Sequence, residues 1–269
     1  MTFYEMIAAA VKEFEQRGYV SDQELAVWIT RLRNAANGKL MPEAKVNEML
    51  ANSLGAIYRK EVDAGGILRR HIGVSRVTID KVRPQLRNEL QRRITASANL
   101  IKLNREQAVE KTLSRFSGWA TSIPAGGSKV VETREVKEHI GKPLRQQQFE
   151  ERRVAIDQGH KMVSALNDIV AVDGGAIAAI WHSPWRRPGY DYRVDHKERD
   201  ERCYLIRGNW AQLKGLVKAG DAGYTDQITQ PGEEVYCSCH YQYVYNLRDL
   251  PANMLTEKGR KMLEAVKSK

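Results

Sequence analysis

No stretch of the sequence approaches the roughly 18 to 20 continuous apolar residues that a membrane-spanning helix needs. The longest candidate, Asp168 to Trp181, is interrupted by Asp173-Gly174-Gly175, so a membrane protein is not expected. Cysteine is scarce, with three residues that all lie beyond position 200. An odd number confined to one segment argues against a disulfide framework and leaves metal binding or plain burial. Catalytic signatures are missing too: there is no Gly-rich phosphate loop, Gly-x-Ser-x-Gly elbow, His-Glu-x-x-His helix or paired-carboxylate arrangement. Asp195-His196 and Arg199-Asp200-Glu201 form a charged cluster with no marked nucleophile, so the chain is not expected to be an enzyme. Met1 to Ala10 carries Glu5 and no leading basic cluster, which reads as an amphipathic helix and not as a secretory signal.

What is present is an ordinary globular balance, 42% hydrophobic and 28% charged, far from the profile of a disordered chain. The net charge of +10 is unevenly placed. Residues Arg59 to Arg153 hold 21 Lys/Arg against 11 Asp/Glu, while the remainder holds 22 against 22. A basic zone of that size can face nucleic acid or an acidic protein ring, through neutralisation and counterion release, or it can be a solvated helix surface.

Helical spacing dominates the first two-thirds. Ile7, Val11 and Phe14, then Leu25, Trp28, Ile29 and Leu32, then Val46, Leu50, Leu54 and Ile57 predict three short helices between Phe3 and about Lys60. Ser21 offers an N-cap with Glu24 three residues on. Leu86, Leu90, Ile94, Ala98 and Ile101 mark one face of a long amphipathic helix from Pro84 to about Trp119. Pro124 to Ser128 predicts a flexible break, Val130 to Gly141 a strand or short helix, and Gln146 to Val172 a further helix. The last hundred residues change texture. Ala176 to Trp181, Cys203 to Ile206 and Val235 to Tyr245 predict short strands, and Thr256 caps a final helix to Lys267. The fold class is therefore α+β, a helical N-terminal two-thirds with a small mixed C-terminal module. The texture divides the chain at 1–60, 61–172, 173–250 and 251–269.

The sharpest chemical feature is Tyr236-Cys237-Ser238-Cys239-His240, preceded by Asp195-His196 and by Cys203. Sulfur and imidazole ligands suit a structural zinc that holds a small, loop-rich module together. Cys237, Cys239 and His196 are the first three ligands, with His240, His182 or Cys203 competing for the fourth. The other reading places both thiols on one face of a strand, entering a core. The run Trp181 to Arg193 is rich in Trp, Tyr and Arg and could clamp a partner or stack on bases, although its prolines and glycine favour an internal structural loop. Gly73-Val74-Ser75 followed by Thr78-Ile79 matches the turn of helix-turn-helix proteins in part, with Arg69 where a small residue is needed and Pro84 set to cut the second helix short. The alternative there is a helix-capping turn.

Trp181, Arg193-Val194-Asp195-His196 and the segment Pro231 to Cys239 carry a resemblance. In that order they are similar to the phage head-morphogenesis family typified by protein F of phage Mu, which pairs a Trp and an Arg-x-x-His-like stretch with a later Cys-x-Cys. The likeness spans roughly residues 85 to 250. Cys-Ser-Cys stands where the family usually has Cys-Arg-Cys, and an extra Trp185-Arg186-Arg187-Pro188 loop intervenes. The resemblance implies a minor capsid component at the portal vertex or inner head, acting in head assembly, DNA packaging or genome delivery without chemistry of its own. It implies portal or major capsid protein as partners, several copies per particle, and residence in the host cytoplasm until assembly into the virion head. Packaged DNA would meet the basic region. Two other classes remain open at this point: a helix-turn-helix DNA-binding regulator on Gly73 to Val82, and a metal-dependent hydrolase at His196, Cys237 and Cys239.

Overall fold

The computed structural model describes residues 1–128 and 133–267. Its elements, in chain order, are helices α1 (Phe3–Arg17), α2 (Asp22–Lys39), α3 (Glu43–Tyr58), α4 (Arg76–Ser122) and α5 (Thr133–Asp173), strand β1 (Ala178–His182), helix α6 (Val194–Glu198), strand β2 (Cys203–Leu205), helix α7 (Trp210–Leu213), strand β3 (His240–Val244) and helix α8 (Glu257–Lys267). The α+β class expected from the sequence is the class observed, with the helices concentrated in the N-terminal two-thirds and one small antiparallel sheet near the C-terminus. Packing groups the chain differently from its texture. One compact unit combines Met1–Ala51 with Ile94–Ala155, and the other combines Asn52–Arg93 with Ile156–Lys269.

The first unit is a helical core. Phe3, Ile7, Val11 and Phe14 recur along α1 at the spacing that puts them on one face, and they are buried with Trp28 and Leu32 of α2, Leu113 and Phe116 of α4, and Ile140 of α5. Phe14 meets Phe116 edge to face, with ring centroids 5.6 Å apart. Thr2 and Glu5 form a reciprocal capping box on α1. The Pro124–Ser128 break is present but is tied down: Gly126 N–H donates to Arg17 O (3.0 Å) and Ser128 N–H to Glu15 O (2.9 Å). These bonds satisfy carbonyls that the end of α1 would otherwise leave open. Only glycine fits at position 18, since its φ is +75° and an added Cβ would lie 1.9 Å from Pro124 O. Of the segment expected as a strand or short helix from Val130, residues 130–132 lie outside the described residues, and Thr133 onward is the start of α5.

In the second unit α4 begins earlier than the periodicity suggests. Ser75 Oγ accepts from Thr78 N–H (3.3 Å), so the helix starts at Arg76 and Pro84 lies inside it. Pro84 does not cut the helix: it forfeits the hydrogen bond to the Asp80 carbonyl and the winding continues. Before Gly73, a π turn (Arg59–Asp63) continues α3 and a 3-10 turn (Ile67–Arg69) follows.

The sheet order is β2-β1-β3, antiparallel throughout, with Ala178 opposite both Leu205 and Val244. Ile177, Leu205, Val217, Val244, Leu247 and Met254 form its core. The strand expected from Val235 begins only at His240, because Pro231-Gly232 and a Tyr236 held at φ +59° fold residues 231–239 into a chain of turns. Thr256 caps α8 as expected, accepting from Gly259 N–H at 3.1 Å.

His71 is 1% exposed and is fully used. Its Nε2–H points to Asn167 Oδ1 (2.9 Å), an oxygen that can only accept, so Nδ1 is left to accept from the Tyr245 hydroxyl (2.5 Å). Burial pushes the imidazole below its ordinary pKa, partly opposed by the bond to Asn167. The folded state thus binds its proton less readily than the unfolded chain. The stability that follows is present above the ordinary imidazole pKa, roughly 6.5, and is lost as pH falls below it. Denaturant unfolding at stepped pH is expected to show this acid loss in the wild type and a flatter profile in His71→Gln.

Candidate metal centre

The site is built from three segments of the second unit. Arg193 is the N-cap residue of α6, and the short helix puts Arg193 and His196, three residues apart, on one face. Both then act on the same loop. Arg193 binds Glu234 (2.5 Å) and donates to Val235 O (3.0 Å), while His196 faces the cysteines. The loop is fixed from the other side by α5, where Asp157 accepts from Tyr236 N–H (2.7 Å) and pairs with Lys161 (2.9 Å). Tyr190 OH accepts from Ser238 N–H (3.1 Å) between the two cysteines. The Trp181 to Arg193 run therefore includes an internal support, and Trp185 is likewise tied inward by its Nε1–H to Asp200 (2.7 Å).

His196 Nδ1 lies 3.5 Å from Cys237 Sγ and 3.6 Å from Cys239 Sγ. These three atoms form a group able to hold a metal ion, and all three residues are buried. An imidazole nitrogen has one lone pair and can take only one thiol proton, yet two sulfurs stand at equal reach. The opposite ring nitrogen, Nε2, lies 3.4 Å from Glu234 Oε1 and 3.8 Å from Asp195 Oδ2. Neither contact is a hydrogen bond, and Nε2 is buried without a conventional partner.

Each sulfur also has donors of its own. Gly232 N–H reaches Cys237 Sγ at 3.4 Å. Trp181 Nε1 and Ser183 Oγ are buried without a conventional partner, and both face Cys239 so as to favour its thiolate. Between the two thiols a hydrogen bond from Cys239 holds Cys237 well below its usual range, and Cys239, which keeps the proton, is pushed up. Trp181 closes one wall, its ring 5.1 Å from His196 and 5.6 Å from Tyr241. On another side both cysteines border a cavity of about 550 Å³.

No protein-family model, curated protein or solved structure matches the chain. Of the residues singled out in the sequence, His196, Cys237 and Cys239 come together, and the three competitors for a fourth position do not join them. His182 and His240 stack on each other across β1 and β3, with centroids 5.3 Å apart. Cys203 lies in the sheet core, its thiol pushed up to about 11 by burial. Sequence reasoning missed Glu234, Gly232, Ser183 and Asp157. Glu234 had a signal, an acid three residues ahead of Cys237 with Arg193 to pair; Asp157 had none.

Asp157 positions the cysteine loop by taking a part-buried backbone N–H from a residue with positive φ. Asp157→Ala is expected to cost about 1–3 kcal/mol, the penalty for leaving that N–H and Lys161 without their acceptor. The loss is read by denaturant unfolding, with faster amide exchange at Tyr236 as the local signature.

Proposed function

We propose that the chain is a structural component of a tailed-phage head, of the minor head protein type, whose C-terminal module is held together by zinc on His196, Cys237 and Cys239. One observation carries this reading. Trp181, the Arg193 to His196 stretch and the Cys-x-Cys are distant in sequence and were singled out for their resemblance to one family, and they meet in one cluster in which each touches the next.

Zinc fits the donor set. Zn–S of about 2.3 Å and Zn–N of about 2.0–2.1 Å, at the tetrahedral angle, separate sulfur from nitrogen by about 3.5–3.6 Å. His196 stands at 3.5 and 3.6 Å from the two sulfurs. When bound, such an ion supplies a cross-link, joining α6 to the 231–239 loop in a module whose sheet has only three short strands.

The protein works by placement. It joins portal or major capsid protein in the assembling head, in several copies, and its basic region between Arg59 and Arg153 contacts packaged DNA through charge and without reading sequence. Lys102 and Lys111 are exposed along α4 and available for that contact. Its residence is the host cytoplasm during assembly and the virion head afterwards.

Quantitative mass spectrometry of sedimented particles from the native source tests the role. The expected result is this chain at a small fraction of the major capsid protein's copy number; absence from both mature particles and assembly intermediates contradicts it. The metal is tested separately on purified protein by elemental analysis and unfolding. Cys237→Ser is expected to abolish bound zinc and destabilise the second unit while the helical core around Phe14 and Phe116 melts as before. Unchanged melting with no zinc in the wild type makes the thiols ordinary core residues.

A further inference from the structure

We infer that the metal held by His196, Cys237 and Cys239 keeps its fourth coordination position open toward the adjoining cavity, and that this position takes a small thiolate. The inference rests on the metal reading above and adds to it the site's ligand.

Among the described residues the group offers three ligand atoms and no fourth. Glu234 and Asp195 approach Nε2, on the far side of the imidazole from the sulfurs, so in this arrangement they do not complete the metal. Cys203 lies in the sheet core, and His182 and His240 stack on each other outside the three-atom group. Tyr190 OH is occupied by Ser238 N–H. A divalent ion with three protein ligands keeps a position for water or an incoming donor.

The cavity indicates which donor. Both cysteines and Gly232 line it, so an exogenous ligand reaches the metal from that side without displacing Trp181. Its volume, about 550 Å³, holds a small organic molecule. Arg70, His160 and His240 are its ionisable side chains besides the thiols and phenols, and no carboxylate is in the wall. Arg70 is paired with Glu61, so the wall imposes little charge preference and the choice of donor falls to the ion. Two thiolates already on the ion make a soft site, and soft sites prefer sulfur. The exchange balances simply: the metal–water bond breaks, the metal–sulfur bond forms, and the thiol proton leaves to solvent with the water.

Cobalt(II) bound to the full-length protein reports the change, because thiolate-to-cobalt charge transfer grows with the number of sulfurs. Titration with 2-mercaptoethanol is expected to raise that absorption by about half, from two thiolates to three, and to saturate at one thiol per cobalt. Cobalt bands that stay unchanged until the thiol strips the metal overturn the open position and leave the metal reading standing. If loading with cobalt produces no tetrahedral bands, both are overturned. Cys203→Ser is expected to leave the thiol response as it is, and loss of the tetrahedral bands in that variant identifies a protein fourth ligand and also overturns the inference.

Discussion

One imidazole nitrogen shared between two sulfurs is the constraint on which the C-terminal module depends. The sheet is small, its strands are five, three and five residues long, and the segments that join them are mostly turns. The apolar core of the sheet lies around Ile177, Leu205 and Val244, and the loop at 231–239 meets α6 through His196, Cys237 and Cys239. The surrounding groups serve that contact. Arg193 fixes the loop backbone, Asp157 takes its one awkward N–H, and Trp181 packs edge to face against the imidazole. Buried Trp181 Nε1 and Ser183 Oγ without ordinary acceptors would be costly in a purely apolar core, and they make sense as donors to thiolate sulfur.

The two units use different physics. The first is stabilised by aromatic and aliphatic side chains at helical spacing, with caps at Thr2 and Ser21 and with glycines at 18 and 127 allowing a turn to close on the end of α1. The second depends more on polar contacts satisfied in detail. His71, Asn167, Tyr245 and Arg70 form one hydrogen-bonded set, in which the acceptor-only oxygen of Asn167 determines which imidazole nitrogen carries the proton. Buried polar sets of this kind specify one arrangement when complete and are costly when any member is lost.

Much of this was legible in the sequence. Period-3.6 burial gave α1, α2 and α3, and Thr256 marked α8. The metal candidates His196, Cys237 and Cys239 were readable because their residue types are rare in the chain and chemically matched. Other features were not readable, for physical reasons. Pro84 predicts a helix start, but the penalty for an interior proline is one hydrogen bond plus local adjustment, which a helix of 47 residues absorbs. Val235 to Tyr245 has strand composition, yet residues 231–239 are held in turns by contacts with Asp157, Arg193 and Tyr190 that no local pattern announces. The four segments read from texture also run in sequence order, whereas α4 and α5 each supply residues to both packed units.

The most direct measurement is X-ray absorption at the zinc edge on protein purified without chelator. The account predicts about one zinc per chain with a first shell of two sulfurs, one imidazole nitrogen and one further light or sulfur atom. A protein that folds and carries no zinc, or a zinc shell of nitrogen and oxygen alone, would contradict it.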